Sequence, residues 1–304
     1  MSSPINLIKE QIKKNRPAIS NASVLTYSSL LRSMYMTGHD SDDDMNIEWF
    51  RNPKNIIKAL ENKPPHSRKT SVASLIVLLG KSGDVDAEIV GMMNTDAKTI
   101  KDNYKEQTMT EKQKENWMSF DEVKAVESRL LDMIKPILAQ KHPVSTDQMN
   151  MIVDWLLVAL SSGIYFPPRR SEWQYIKLKS VTPESDNYID LKKGVFVLNQ
   201  YKTAKLYGRE EIPYGKPFGL LLKKVLAVIP DQQFLLEHKG KQMTSSVITQ
   251  RLNRIFGKKV STSMLRHIYT TDKYGDMPAL KELEESAKAM GHSLTQHLEY
   301  IKQA

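Results

Sequence analysis

The chain has 304 residues, which is enough for two domains that each bury a core of their own. Its 44 lysines and arginines exceed its 35 acidic residues by nine, a balance that suits a polyanionic partner without establishing one. Cysteine is absent, which excludes disulfide bonds, a thiolate nucleophile and a cysteine-ligated zinc site. No segment is long and apolar enough to span a bilayer and the N-terminus lacks a signal-peptide core, so we expect a soluble, intracellular protein without membrane contact.

The first hundred residues show helical periodicity. Apolar residues recur every three or four positions, as at Leu31 and Met34. The period is interrupted by an acidic loop, a proline turn and a glycine bend, at Asp40–Asp44, Lys63–Pro65 and Gly80–Asp84. This pattern predicts a bundle of four or five helices.

A domain boundary is predicted just before Ser119. Ser119 and Glu122 form a capping box, in which each side chain can accept a hydrogen bond from the other residue's amide at a helix start. The chain before Ser119 holds 17 basic and 15 acidic residues, against 27 and 20 from Ser119 onward. The predicted domains are therefore 1–118, mainly helical, and 119–304, which carries most of the excess positive charge.

The second domain mixes helices with short strands. Alternating or apolar runs separated by glycine turns favour strands, and longer periodic segments favour helices. The predicted fold class is mainly α with a small antiparallel sheet (α+β), with helices at Phe120–Leu138, Thr146–Ser161, Phe218–Ile229 and Ser245–Phe256 and strands at Tyr188–Leu191, Val195–Leu198 and Glu211–Pro213.

Groups that could bind or transfer protons at a phosphate gather in four places of this second domain. Two arginines on separate elements could clamp a phosphate, because a guanidinium presents paired donors that match two oxygens. Each group taken singly also has an ordinary explanation, such as a surface ion pair or a solvated lysine. The four places are Pro168–Glu172, Tyr201–Lys205, Ser263–His267, and Gly291–Ser293 with Tyr300 beyond it.

The order and spacing of these groups resemble the tyrosine recombinase family, which includes phage and viral integrases. The tetrapeptide Arg-Arg-Ser-Glu is similar to the family's Arg-x-x-Glu box, with Arg169 in the position of the first catalytic arginine and Arg170 as the alternative. The segment Phe196–Lys205 is similar to the family's strand hairpin that carries a catalytic lysine, and Lys202 matches better than Lys205.

The C-terminal groups continue the resemblance. Arg266 stands at the arginine of the family's H-x-x-R box, but Ser263 replaces the histidine, and the neighbouring His267 is not a direct substitute for it. His292 lies in a segment similar to the Leu-Gly-His-Ser element, and Tyr300, eight residues later, matches the spacing of the nucleophile.

The resemblance implies a helical core-binding domain followed by a catalytic domain that cleaves and rejoins DNA through a covalent 3′-phosphotyrosine. It implies roles for Arg169, Arg266 and His292 in stabilising the transition state, for Lys202 as general acid, and for Glu172 in orienting the site. It also implies double-stranded DNA as partner, a homotetramer on paired DNA sites, and no metal ion or other cofactor.

The wording of the first two boxes is most similar to integrases of large DNA viruses of eukaryotes and their satellite viruses. This implies integration of a viral genome, with the host nucleus or a viral factory as alternatives to the cytoplasm. Two other functions stay open: DNA relaxation like that of type IB topoisomerases, and DNA binding with impaired catalysis, which Ser263 favours. Lysines expected to hold DNA phosphates are Lys69, Lys105, Lys177, Lys179, Lys258 and Lys259.

Overall fold

The computed structural model describes residues 3–140, 144–169, 172–291, 293–295 and 298. These residues form two compact units. One, here called the flanking unit, contains the described residues up to Thr108 and those from Pro278 onward. The other, the central unit, is Met109–Met277.

The flanking unit is helical, as the sequence predicts. Several of its helices begin at a capping residue or a proline. The side chains of Asn46 and Asp86 accept hydrogen bonds from amides in the first turn of the helix that follows each of them. Pro65 can begin a helix because the N–H groups of the first helical turn have no partner within the helix. The helices are α1 (Pro4–Asn15), α2 (Asn21–Tyr35), α3 (Ile47–Arg51), α4 (Pro53–Leu60), α5 (Pro65–Leu79) and α6 (Ala87–Lys105).

Six helices therefore lie between Pro4 and Lys105, where every residue is described, and the prediction of four or five is corrected. The additional helix arises because Asn52 ends α3 and at once caps α4, and Pro53 cannot continue a helix that precedes it. Of the three predicted interruptions, Asp40–Asp44 falls between helices, Lys63–Pro65 ends on the first residue of α5, and Gly80–Asp84 contains the 3₁₀ turn Ser82–Asp84.

The flanking unit buries its own apolar core, with a charged pair beside it. Leu31, Phe50 and Leu75 are almost fully buried. Arg68 of α5 donates two hydrogen bonds, of 2.7 and 2.5 Å, to the buried carboxylate of Asp96 on α6. This pairing satisfies the carboxylate that would otherwise oppose packing of the two helices.

A helix far along the chain also belongs to the flanking unit. This helix, Leu280–Ala289, is joined to the end of α6 by an ion pair of 2.5 Å between Lys105 and Glu284 and another of 2.6 Å between Glu106 and Lys281.

The central unit contains the four predicted helices, the third of them shifted to Lys216–Val228, and three more, at Glu111–Asn116, Ala204–Tyr207 and Thr262–Tyr274. The capping box at Ser119 is present, with hydrogen bonds of 2.7 and 3.1 Å between Ser119 and Glu122, and the backbone N–H of Ser119 lowers the pKa of Glu122. The helices are α7 (Glu111–Asn116), α8 (Phe120–Leu138), α9 (Thr146–Ser161), α10 (Ala204–Tyr207), α11 (Lys216–Val228), α12 (Ser245–Phe256) and α13 (Thr262–Tyr274); the one at Leu280–Ala289 is α14.

The sheet of the central unit is mixed, whereas the sequence prediction was antiparallel. Its strands, in the order β1-β2-β3-β4, are β1 (Ile176–Lys177), β2 (Asn187–Asp190), β3 (Val195–Leu198) and β4 (Glu210–Pro213). The β2–β3 and β3–β4 pairs are antiparallel, but β1 pairs with β2 in parallel. A separate hairpin joins β5 (Glu237–His238) to β6 (Lys241–Gln242). The fold class is thus α+β with a small mixed sheet.

The core of the central unit lies between α8, α9, α11 and the sheet. Trp155 and Trp173 are among its largest fully buried side chains, and Phe196 of β3 packs edge-on against Trp173 at 5.0 Å between ring centroids. The sheet is therefore fixed to the turn that precedes β1.

The units divide at Thr108–Met109 and Met277–Pro278, whereas the sequence places one boundary before Ser119. The domains 1–118 and 119–304 remain a proposal. Within the described residues, no helix combines the length and apolarity that a membrane crossing requires.

Candidate functional site

Arg169 is placed by the segment that follows α9. Gly163 has φ +95°, and a Cβ there would lie 2.4 Å from the ring of Tyr269, so only glycine lets the chain turn at this point. Two residues on, the Tyr165 hydroxyl donates a 2.7 Å hydrogen bond to the buried carboxylate of Glu127 on α8. Arg169, half-buried, follows this anchored stretch.

Glu172 begins a short 3₁₀ turn, Glu172–Tyr175. Its neighbour Trp173 is 1% exposed and contacts Phe166 and Phe196, with centroids 5.3 and 5.0 Å apart. This aromatic packing fixes the turn. The Oε2 atom of Glu172 is buried and has no hydrogen-bond partner in the described part of the chain.

Lys202 lies in the connection between β3 and β4, which we call the lysine loop (residues 199–209). At its start, the amides of Asn199 and Gln200 donate to the buried Asn187 side chain at 2.7 and 2.6 Å. At its end, the Tyr201 hydroxyl donates to the carbonyl of Gly208 at 2.7 Å. The base of the loop is thereby held while Lys202 is exposed.

Arg266 lies on α13, whose N-terminus is capped by Ser261. Leu265 and Ile268 face the core, and Arg266 is half-buried between that face and solvent. Ser263 and His267, one helical turn apart, are both exposed.

Four of the predicted site residues line one cavity of about 670 Å³ in the central unit. They are Arg169, Glu172, Lys202 and Arg266, and they come from three separate segments of the chain. Another cavity, of about 650 Å³, contains none of the predicted site residues. The structure thus brings together the first arginine, the lysine and the second arginine. It does not place Ser263, His267 or Lys205 in the lining of that cavity.

The cavity has polar groups without partners. Besides the carboxylate oxygen of Glu172, the buried Nε of Arg169 lacks a hydrogen bond among residues that are described. Arg266 forms no hydrogen bond or ion pair with that same portion of the chain. The unpartnered donors of the two arginines suit an anionic ligand, whereas the unpartnered Glu172 oxygen does not.

Three predicted residues, Arg170, His292 and Tyr300, lie outside the described residues. In the chain before position 292, α14 ends at Ala289 and Gly291 has a φ of +76°, the left-handed conformation that glycine allows.

Most of the lysines predicted to hold DNA phosphates have partners. Lys105, Lys177 and Lys179 form ion pairs with Glu284, Asp186 and Asp231, and Lys258 donates to the carbonyl of Trp117 at 2.8 Å. Lys69 is half-buried and Lys259 is exposed.

Comparison with known proteins adds one similar solved structure. It is described as "Crystal structure of XerA recombinase", with 15% sequence identity and a TM-score of 0.34, over 99% of this chain and 94% of that one. At this TM-score no functional residue can be transferred from it. No protein-family model matches the chain, and no curated protein matches it.

Two residues that contact Arg169, neither of which lines the cavity, were missed in the sequence. Glu210 accepts a 2.5 Å hydrogen bond from Nη1 of Arg169, and the ring of Tyr201 lies 5.2 Å from the centre of the same guanidinium. Tyr201 stood inside the lysine motif, but its sequence position does not reveal a contact with Arg169. Glu210 begins β4, and nothing in its local pattern separates it from the exposed Glu211.

Proposed function

We propose that this protein is a site-specific DNA recombinase or integrase that cleaves and rejoins DNA through a covalent 3′-phosphotyrosine. The observation that supports the proposal is the cavity lined by Arg169, Lys202 and Arg266. These residues were chosen on motif order alone, and they are up to 97 positions apart.

The cavity has three basic side chains, Arg169, Lys202 and Arg266, against two acidic ones, Glu172 and Glu211, so a net positive charge faces a phosphodiester. Arg169 and Arg266 each offer several N–H donors in a planar array, and two such arrays can bind both non-bridging oxygens of one phosphate. Negative charge on these oxygens increases in the transition state, so donors that are already in place lower the barrier. Loss of either arginine is expected to slow cleavage on the order of 10²–10³-fold.

The reaction proposed by resemblance uses Tyr300 as nucleophile. Its phenolic oxygen forms a bond to phosphorus and gives its proton to water or to a base at the site, while the bond from phosphorus to the 5′-oxygen breaks. Lys202 gives a proton to that oxygen, which leaves as a hydroxyl, a role that contributes about 10²–10⁴ in rate. His292 is proposed as a third donor to the phosphate. A second 5′-hydroxyl reverses the step. The energy of the phosphodiester bond is kept in the phosphotyrosine, so the reaction consumes no nucleotide.

The first experiment finds a substrate. The protein is incubated with a library of random DNA duplexes, denatured, and the DNA that stays covalently bound is sequenced. A suicide duplex is then built on the recovered sequence, with a nick just beyond the cleaved bond so that the short strand diffuses away. We expect a covalent adduct with wild type and none with Tyr300→Phe, whereas Tyr274→Phe, at an exposed tyrosine, should form it normally.

Arginine variants test the cavity itself. Arg169→Ala and Arg266→Ala should lower the single-turnover rate as stated above, and Arg129→Ala, at an exposed arginine of α8, should not. An adduct with Tyr300→Phe would show that another residue attacks. No adduct with any duplex would favour a DNA-binding protein without catalysis.

The finer assignments have separate tests. Relaxation of a supercoiled plasmid without exchange between two sites would favour a type IB topoisomerase. A homotetramer on two double-stranded DNA sites is proposed, and light scattering of the complex with the mapped duplex measures its mass. Integration of a viral genome is proposed from the motif wording, and recovery of a viral sequence from the duplex library would support it.

A further inference from the structure

We propose that Glu210 and Tyr201 are positioning residues that orient Arg169 toward the phosphate and couple it to the lysine loop. This inference rests on the proposed function and adds two residues to it. Tyr201 lies within the lysine motif but has no role assigned there, and Glu210 lies outside the motifs.

Arg169 has two contacts on its guanidinium. Its Nη1 donates to the carboxylate of Glu210 at 2.5 Å, and its guanidinium carbon lies over the Tyr201 ring, 5.2 Å from the ring centroid. These contacts restrict the guanidinium, because the carboxylate holds one nitrogen and the ring packs against the group.

A second edge of the Arg169 guanidinium has no protein partner. Nε is buried without a partner, and Nη2 makes no hydrogen bond with any residue that the structure describes. Nε and Nη2 form one of the paired-donor edges with which an arginine binds two oxygens. Glu210 therefore occupies Nη1, and a phosphate that binds the Nε–Nη2 edge must first displace the atoms that bury Nε.

Tyr201 and Glu210 also connect Arg169 to the loop that carries Lys202. Tyr201 precedes Lys202 in the chain, and its hydroxyl donates to the Gly208 carbonyl at 2.7 Å, which closes the loop. Glu210 pairs with Leu198 across β3 and β4 at the base of that loop. Partial burial and, after it, the nearby Glu210 carboxylate raise the pKa of the Tyr201 phenol, so the hydroxyl remains a donor at neutral pH.

A plain surface ion pair would have the same distance but a different effect. The side chains of Arg169 and Glu210 are 24% and 30% exposed, and pairs that exposed contribute little to stability. Loss of positioning instead lowers the chemical rate, since a displacement of about 1 Å can cost on the order of 100-fold. Rate and unfolding midpoint together separate the two roles.

The test compares two DNA substrates in single turnover. One is the mapped suicide duplex, and the other has sulfur in place of the 5′-bridging oxygen at the cleaved bond. A thiolate leaves without being protonated, so this substrate does not need the general acid. A residue that acts through Arg169 affects both substrates, and one that acts through Lys202 affects only the oxygen substrate.

We expect Glu210→Gln to cleave both substrates on the order of ten-fold more slowly. Tyr201→Phe keeps the ring but loses the bond to Gly208. It should slow the oxygen substrate several-fold and leave the sulfur substrate near the wild-type rate. Glu184→Gln and Tyr175→Phe, at exposed positions of the central unit, are the matched controls.

Binding and stability are measured on the same proteins. Fluorescence anisotropy with a labelled duplex should show no weaker binding for Glu210→Gln, since the change removes a negative charge near the DNA. If Glu210→Gln unfolds, Glu210→Asp replaces it. This variant keeps the charge but shortens the side chain by one methylene, and the same slowing is expected.

The outcomes distinguish this inference from the function on which it rests. Wild-type rates for Glu210→Gln on both substrates, or an equal loss for Tyr201→Phe on both, would overturn the positioning roles while the recombinase proposal stands. Absence of any wild-type adduct would overturn the proposed function, and the positioning roles with it.

Discussion

Glu127 connects the core of the central unit to the stretch that carries Arg169. Its carboxylate is 6% exposed, and one oxygen accepts hydrogen bonds from the Trp155 indole and the Tyr165 hydroxyl, each at 2.7 Å. Burial and, next, the Glu127 carboxylate raise the pKa of Tyr165, so its hydroxyl is protonated at neutral pH. Tyr165→Phe removes one of the two donors and little else.

The expected cost follows from these contacts. A hydrogen bond to a charged acceptor contributes about 1.5–3 kcal/mol, and the half-buried position of Tyr165 places the loss near the lower value. Glu127→Gln keeps the shape but removes the charge, for which we expect about 2 kcal/mol. The double variant should cost about 1 kcal/mol less than the sum, because the single changes remove the same bond.

Urea unfolding followed by tryptophan fluorescence measures these differences. Trp117, Trp155 and Trp173, three of the four tryptophans, lie in the central unit and report mainly on it. The slope of the free energy of unfolding against urea concentration should stay the same, while the midpoint concentration falls. Tyr175→Phe, at an exposed tyrosine, should leave the midpoint unchanged. A loss below about 0.5 kcal/mol for Tyr165→Phe, or strict additivity in the double variant, would refute the reasoning.

Three further predictions concern other positions of the central unit. Gly163→Ala should lower the free energy of unfolding by about 3 kcal/mol, because its Cβ would meet the Tyr269 ring. Gly257→Ala should lower it by about 1 kcal/mol, because the backbone there is left-handed but the space is open. Equal urea midpoints for the two variants would contradict this. The amide of Thr182 and then Lys177 lower the pKa of Asp186, so its contribution is present at neutral pH and is lost as the pH falls through the lowered value. Asp186→Asn should therefore be less stable at pH 7 and lose less stability than wild type between about pH 5 and pH 2, and a parallel acid profile would contradict it. Lys258→Ala should change the slope of log binding constant against log salt concentration by less than one unit, because the Lys258 ammonium donates to a backbone carbonyl. Anisotropy of a labelled duplex measures this slope. A change of about one unit would show that Lys258 contacts a phosphate directly.

The longer elements were predictable from the sequence because several local signals agree. At α8 and α9, helical periodicity coincides with a capping serine at the start, and the predicted bounds Phe120–Leu138 and Thr146–Ser161 are those observed. Strand β3 was also predicted with its observed bounds, since its four residues are apolar and lie between turn residues.

Short elements escaped the prediction for a physical reason. Strand β1 has two residues. Its parallel pairing with β2 depends on the connection between them, which returns the chain to the start of β1, and no residue type predicts that path. The β5–β6 hairpin is equally short. A two-residue strand has no period, so only the folded chain defines it.

The candidate site was predictable as a set of residues but not as a set of contacts. Motif order selected Arg169, Lys202 and Arg266, and the cavity contains all three. Glu210 was missed because its role depends on the register of β4 against β3 and on where the Arg169 segment passes. Partners of this kind are set by tertiary packing, and a single sequence carries no record of them.

The lysine loop offers an experimental handle because the chain contains no cysteine. Leu206, at 74% exposed, lies on this loop away from its anchored base. A cysteine introduced there would be the sole thiol of the protein, so one maleimide dye would label one known position. A donor dye at that position and an acceptor on the duplex would report, by energy transfer, when the loop reaches the DNA during a single turnover.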